Sequence, residues 1–289
     1  MGKGLVETFP EARRIFEEAD RIFPDFSLSR LCFEGPEESL RLTVNAQPAI
    51  FTVSMAAFEV GKTLGVRATA AAGHSVGEYG AITAAGVLSF ADALRLVRRR
   101  GELMYQSGLS RPGTMAAILG LDAATVETVC AESSNEKTVE IANLNTATQI
   151  VISGDPEAVE KAGELAKVKG AKRVIALSVS GAFHSELMEE AAAKLGEALD
   201  TVSFRDASFP VFANLTAKPV VKGDEIRALL KRQIREKVRW EETIRNMMSE
   251  GPCNFIELEP GSVLSGLVRS IDKNAKTTKF EQLLGAVRS

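Results

Sequence analysis

Apolar residues at Ile15, Phe16, Ala19, Ile22 and Phe23 recur at three- and four-residue intervals, so EARRIFEEADRIF (11–23) is predicted to be a helix with one buried face. No strand is predicted ahead of it. NAQPAIFTVSMAAFEVGKTLG (45–65) reads as a second helix, with Pro48 near its first turn and a glycine stop. The short apolar run VRATAAA (66–72) predicts a buried strand. GEYGAITAAGVLS after it predicts a helix rich in small residues, and a long helix follows from about Phe90 to Met104.

From about 113 to 179 the rhythm changes. TMAAILG reads as a strand, DAATVETVCAE as a helix, TVEIANL and TQIVISG as strands, DPEAVEKAGELAKVKG as a helix and KRVIALSV as a strand. That order, βαββαβ, is the split βαβ or ferredoxin-like unit, complete in itself. Alternation then resumes with a helix near 185–199, a strand at FPVFAN (209–214) and helices near 223–235 and 240–250. A strand at CNFIELE (253–259) and a closing helix after PGS complete the chain. Strands alternating with helices predict an α/β fold with a parallel sheet covered on both faces. The expected division is a large subdomain from 1–112 and 180–289, interrupted by a small one at 113–179.

Composition narrows the function classes. With 289 residues, 45% hydrophobic and 25% charged, the chain is sized and composed for one sizeable core or two unequal subdomains. A net charge of -3, with Lys and Arg interspersed among acids, argues against a nucleic-acid partner. Cys32, Cys130 and Cys253 are far apart, lack C-x-x-C spacing for zinc or redox work, and are read as buried, reduced core thiols. No 18-residue apolar run or leader pattern is present, so no membrane partner is expected and the cytoplasm is the default location.

The chemistry centres on GHSVGEY (73–79), where Ser75 sits in Gly-x-Ser-x-Gly between a strand and a helix. Such a turn presents a serine nucleophile at the end of an α/β-hydrolase-like sheet, and glycines flank it because β-carbons there would collide. The chain has two histidines, His74 and His184. Adjacent side chains at a sharp turn diverge, so His74 is a poor base for Ser75. His184, in SVSGAFHSELM (178–188), lies where the small unit hands over to the large one, and is the expected base. The alternative is a histidine that caps or packs a turn. Glu186, Glu189 and Glu190 follow it, but none stands in a pattern that marks an orienting acid. A dyad is expected, with a backbone carbonyl or amide side chain holding the imidazole.

FADALRLVRRRGELM (90–104) carries four arginines. At 100° per residue, Arg95, Arg98 and Arg99 point away from the side shared by Phe90, Ala93, Leu94, Val97, Gly101 and Met104. Arg100 falls inside that apolar sector. A guanidinium there requires an anion, either a core carboxylate or a substrate carboxylate held bidentately.

The whole chain resembles the malonyl-CoA:acyl carrier protein transacylases of bacterial type II fatty acid synthesis. NAQPAIFTVS, GHSVGEYGAITAAGVLSFADALRLVRRRGELM, GTMAAILGL, NLNTATQIVISG, GAFHSELM and ELEPGSVLSGL are each close to that family's pattern, in order. In the related polyketide acyltransferase domains, GAFHS is similar to the malonyl-selecting form rather than YASH, and branched Val76 agrees. The resemblance implies Ser75 as the acylated serine, His184 as base and Arg100 as partner of the malonyl carboxylate. It implies that the Gln233 carbonyl orients His184, that the Val76 N–H serves the oxyanion hole, and that Gln47, His74, Asn143 and Asn145 line the site. On the residues alone, those four read as capping or turn residues. It implies malonyl-CoA and phosphopantetheinylated acyl carrier protein as substrates, with no cofactor and no metal. Arg98, Arg99, Lys231, Arg232 and Arg235 are the expected docking cations for an acidic carrier protein, and a monomer is expected. The family opens on a strand and FPGQGSQ, whose first glutamine supplies the second oxyanion donor; this sequence opens at MGKGLVETFP, just after it. The first strand of the sheet and half the oxyanion hole are therefore expected to be missing. Two rivals stand beside this reading: a serine esterase or thioesterase, and an impaired acyltransferase remnant that only binds.

Overall fold

A computed structural model describes residues 1–258 and 261–287. Glu259, the end of the predicted strand 253–259, and Pro260 lie outside the described residues.

The chain opens on α1 (Lys3–Thr8), one element before the helix expected first. α2 (Pro10–Ile22) follows, with Pro10 in its first turn, where its missing N–H forfeits nothing. α3 (Leu28–Glu34) and α4 (Glu37–Arg41) are too short to show a period in the sequence. α5 (Thr43–Thr63) begins earlier than predicted and places Pro48 inside the helix rather than in its first turn. A proline there leaves the carbonyl four residues back without its helical donor. Arg98 supplies one, donating from Nη1 to the Val44 carbonyl at 3.1 Å.

β1 (Ala71–Ala72), α6 (Gly77–Ala84) and α7 (Phe90–Ser110) come next. α7 starts where the Ser89 side chain caps Asp92 N–H. It lies so close against α5 that a β-carbon on Gly101 would sit 3.0 Å from the Thr43 carbonyl. That approach lets Gln47 and Arg100 meet.

Residues 114–176 form β2 (Thr114–Leu119), α8 (Ala123–Ser133), β3 (Val139–Thr146), β4 (Gln149–Gly154), α9 (Pro156–Val168) and β5 (Arg173–Ala176). Their sheet is antiparallel throughout, in the order β3-β4-β2-β5. Ile118, Ile150 and Ile152 of this sheet pack on Val126, Val129 and Ala162 in an apolar cluster of their own.

After a 3₁₀ turn at Glu186–Met188 come α10 (Glu189–Asp200), β6 (Val211–Phe212), β7 (Pro219–Val220), α11 (Gly223–Gln233) and α12 (Trp240–Ser249). β8 (Asn254–Glu257), α13 (Val263–Ile271), β9 (Lys276–Lys279) and α14 (Phe280–Val287) close the chain. The fold is α/β, but the single parallel sheet expected is, among the described residues, two small ones. β1 pairs parallel with β6, β6 antiparallel with β7, and β8 parallel with β9. The predicted strands at 66–72 and 209–214 shorten to two residues each. An apolar run announces burial and not how many of its residues find a ladder partner. A cavity of about 830 Å³ is lined by 68–73, which include β1, and by 253–258, which include β8. Cys253 lines it and is only half-buried, unlike the core thiols Cys32 and Cys130, so the prediction of three buried cysteines holds for two.

Candidate active site

The turn from β1 to α6 holds Ser75 at φ 53°, a left-handed backbone that costs a non-glycine residue energy unless its surroundings fix it. Two features fix it. A β-carbon on Gly73 would lie 1.9 Å from the Gly77 carbonyl carbon, so the turn closes only around glycine. Fully buried Asn214, just past β6, accepts the Ser75 N–H on Oδ1 at 2.8 Å and donates from Nδ2 to the Gly73 carbonyl at 2.6 Å. The parallel pairing of β1 with β6 brings this clamp to the elbow. Val76 caps α6, and its N–H has no hydrogen-bond acceptor among the described residues.

The Ser75 Oγ lies 2.7 Å from His184 Nε2. His184 Nδ1 faces two backbone carbonyls, Gln233 at 2.9 Å and Glu236 at 3.0 Å. Carbonyls only accept, so Nδ1 carries the proton and Nε2 presents its lone pair to the serine. Burial, then the Arg100 charge and His74, push the imidazole pKa down to about 3, which keeps it neutral. Each neighbouring acid is engaged elsewhere: Glu186 with Thr138, Glu189 with Arg235, Glu190 with Lys194. His74 points away from Ser75. Its Nε2 lies 2.8 Å from Asn145 Oδ1, its ring meets Trp240 edge-on, and burial lowers its pKa.

Arg100 is 1% exposed. Its Nη1 donates to Gln47 Oε1 at 2.5 Å, and its Nη2 donates to Ser75 Oγ and to Gln233 Oε1, each at 3.0 Å. Its Nε is buried without a hydrogen-bond partner among the described residues. Among the described residues it forms no salt bridge, so a core ion pair is not what holds it. Burial lowers its pKa to about 10 against the raising influence of Tyr79 and Glu78, and it remains charged.

The structure thus gathers Ser75, His184, Arg100, Gln47 and Gln233 in one network. Gln47 lies inside α5, with Nε2 donating to Thr43 Oγ1 at 2.9 Å, and Asn145 lies within β3. Neither is the capping or turn residue that its type suggested. Asn143 is also buried in β3, where its backbone bridges to Val238, and makes no hydrogen bond to Ser75, His184 or Arg100 among the described residues. Two members escaped the sequence reading. Glu78 was visible as an acid one helical turn beyond Ser75 on a helix of small residues; nothing local ties Asn214 to the elbow. The expected docking cations are all engaged. Arg98 bonds Val44, Asn45 and Glu102 and lies over Phe26, so it is a packing residue. Arg99 pairs with Glu102, Lys231 with Asp200, Arg232 with Glu236 and Arg235 with Glu189. Among the described residues, no cluster of His, Cys, Asp or Glu could hold a metal ion, and no helix is long and apolar enough to cross a membrane.

A serine on a strained elbow, a neutral imidazole behind it and a buried cation beside it are the equipment of acyl transfer through an oxygen ester. The chain belongs to the acyl transferase domain family, whose profile matches residues 1–289. It is 49% identical over 278 residues to the malonyl CoA-acyl carrier protein transacylase of Bacillus subtilis (strain 168), covering 96% of this chain and 87% of that one. Among solved structures it resembles the acyl-carrier-protein S-malonyltransferase of Bartonella henselae, with TM-score 0.94 and 43% identity over 100% of this chain and 94% of that one. A type II PKS acyl-carrier protein in complex with its malonyl-transacylase also matches, with TM-score 0.94 and 37% identity over 100% of this chain and 94% of that one.

Proposed function

We propose that this chain transfers malonyl from malonyl-CoA to the phosphopantetheine thiol of acyl carrier protein, by a ping-pong path through a malonyl ester of Ser75. The observation that carries the acyl specificity is Arg100, a buried charge 3.0 Å from Ser75 Oγ with no carboxylate partner among the described residues. Ser75 gives its proton to His184 Nε2 as Oγ attacks the thioester carbonyl carbon. The oxyanion takes the Val76 N–H. The tetrahedral species collapses, the C–S bond breaks, and His184 returns the proton to the thiolate. The carrier thiol then attacks the ester by the same steps reversed. An acyl group without a carboxylate leaves the guanidinium unpaired, which selects malonyl over acetyl. The named relatives and the solved carrier-protein complex support this substrate pair, and every step uses the chain's own groups without metal or cofactor.

The same reading takes the βαββαβ stretch as a ferredoxin-like subdomain of 113–179, inserted into the catalytic subdomain of 1–112 and 180–289. It takes the slot between β1 and β8 as the place of one further parallel strand. The pairing of these strands supports that, since among the described residues each has a ladder on one side only. Intact mass after incubation with malonyl-CoA tests the reaction. One malonyl group is gained by the wild-type chain and none by Ser75→Ala. Passage of that group to a carrier thiol supports the transferase, whereas loss to water at the same rate would establish a thioesterase.

A further inference from the structure

We infer that Glu78 is a positioning residue: it fixes the polarity of the Gln233 side-chain amide and so holds the Arg100 guanidinium beside Ser75 without consuming it in an ion pair. This rests on the malonyl reading above.

Glu78 stands in the first turn of α6 and is 3% exposed. Its Oε2 accepts from Gln233 Nε2 at 2.6 Å, and its Oε1 accepts from the Asn214 main-chain N–H at 3.2 Å. The same Gln233 Nε2 donates to the Ser75 carbonyl at 2.8 Å, while Gln233 Oε1 accepts from Arg100. An amide can occupy its site in two orientations, but here only one is satisfied. Arginine has donors alone, and a carboxylate and a carbonyl have acceptors alone. Reversal would set NH₂ against the guanidinium and C=O against both Glu78 and the Ser75 carbonyl. Charge, amide dipole and opposite charge therefore form one directed chain.

The arrangement solves a problem particular to this site. A buried arginine with no anion in reach is costly, yet one already paired with a carboxylate has little to offer an incoming one. Above about pH 7, where it is ionised, Glu78 supplies the opposite charge one amide away. Its field favours charged Arg100, and the arginine's own donors rest on neutral oxygens. Burial pushes the Glu78 carboxyl up to about 7, opposed by the Gln233 and Asn214 hydrogen bonds and by Arg100, so these neighbours suit the ionised form.

Glu78→Gln keeps the size and removes one acceptor. Its single oxygen can serve Asn214 or Gln233, and its NH₂ must face the other. Gln233→Glu makes the complementary change, setting a carboxyl directly on Arg100. The experiment measures kcat and KM for malonyl-CoA and acetyl-CoA in wild type and both variants, with a crystal structure of Glu78→Gln. Each variant is expected to lower the malonyl:acetyl ratio of kcat/KM by roughly 10-fold or more, chiefly through the malonyl-CoA KM. Arg100 is expected to leave its Gln233 contact in the crystal structure. Equal losses for both acyl groups, or an unmoved Arg100, would overturn the inference. Should Glu78→Gln fail to fold, Gln233→Glu carries the kinetic test. Failure of the parent reading shows separately, as a wild-type chain that gains no malonyl.

Discussion

Arg100 makes its three hydrogen bonds to neutral oxygens, on Gln47, Gln233 and Ser75, and leaves Nε bare in a place closed to water. In the malonyl-transfer function proposed above, a substrate carboxylate is the partner of this charge. Arg100→Ala is therefore expected to lower kcat/KM for malonyl-CoA by about 100-fold, the scale of a lost buried charge pair, and that for acetyl-CoA far less. Steady-state kinetics with both thioesters checks it, and equal losses would refute the assignment. Residue identity made this arginine legible. Of the four in its helix it alone fell in the apolar sector, and it is the one the structure buries. Identity did not make its surroundings legible. Whether its counter-charge was a core acid or a substrate depended on Glu78, which reaches it only through Gln233, 155 residues further along the chain.

At the scale of elements, the elbow is the demanding part. Gly73 and Gly77 touch across the turn, and Ser75 adopts its left-handed backbone only while that contact stays closed. Gly73→Ala drives a β-carbon into the Gly77 carbonyl and is expected to cost at least ~2 kcal/mol of stability and most of the malonyl loading. Urea unfolding together with intact-mass loading measures both, and an alanine variant of normal stability that still loads malonyl would contradict this account. The elbow was readable because its constraint is local: two glycines and a serine within five residues. α7 was readable for the same reason, its period running unbroken from its Ser89 cap. Strand lengths were not. A strand exists only where a ladder partner lies, and the partner of Ala71 is Val211. Pro48 shows the limit from the other side. The sequence placed it in a first turn, where it needs no help; its interior position in α5 is possible because Arg98 reaches across from α7 to the freed carbonyl.

For the whole molecule, the buried titrating groups set how stability follows pH. His184 stays neutral to about 3 in the fold against an ordinary 6.5, so on unfolding below pH 6.5 it takes up a proton. It withdraws stability as pH falls, and His74, also lowered by burial, acts in the same direction. Glu78 does the reverse. It holds its proton up to about 7 in the fold against an ordinary 4.5, so its contribution is complete below 4.5 and is lost as pH rises through 7. Between 4.5 and 6.5 the Glu78 and His184 contributions oppose each other. Glu78→Gln removes one side, so as pH falls across that window the variant is expected to lose up to about 1.4 kcal/mol per pH unit relative to wild type, and to regain it as pH rises. Urea denaturation at a series of pH values measures the difference, and parallel curves for the two proteins would contradict it. The His184 imidazole has a different kind of security. The acceptors that orient His184 are the main-chain carbonyls of Gln233 and Glu236. A missense change in either codon rewrites a side chain and leaves its carbonyl in the polypeptide, so no single amino-acid replacement there deletes the acceptor. A mutation abolishes the support only by rerouting the backbone, which makes the imidazole's alignment a heritable property of the chain's path rather than of any one residue's identity.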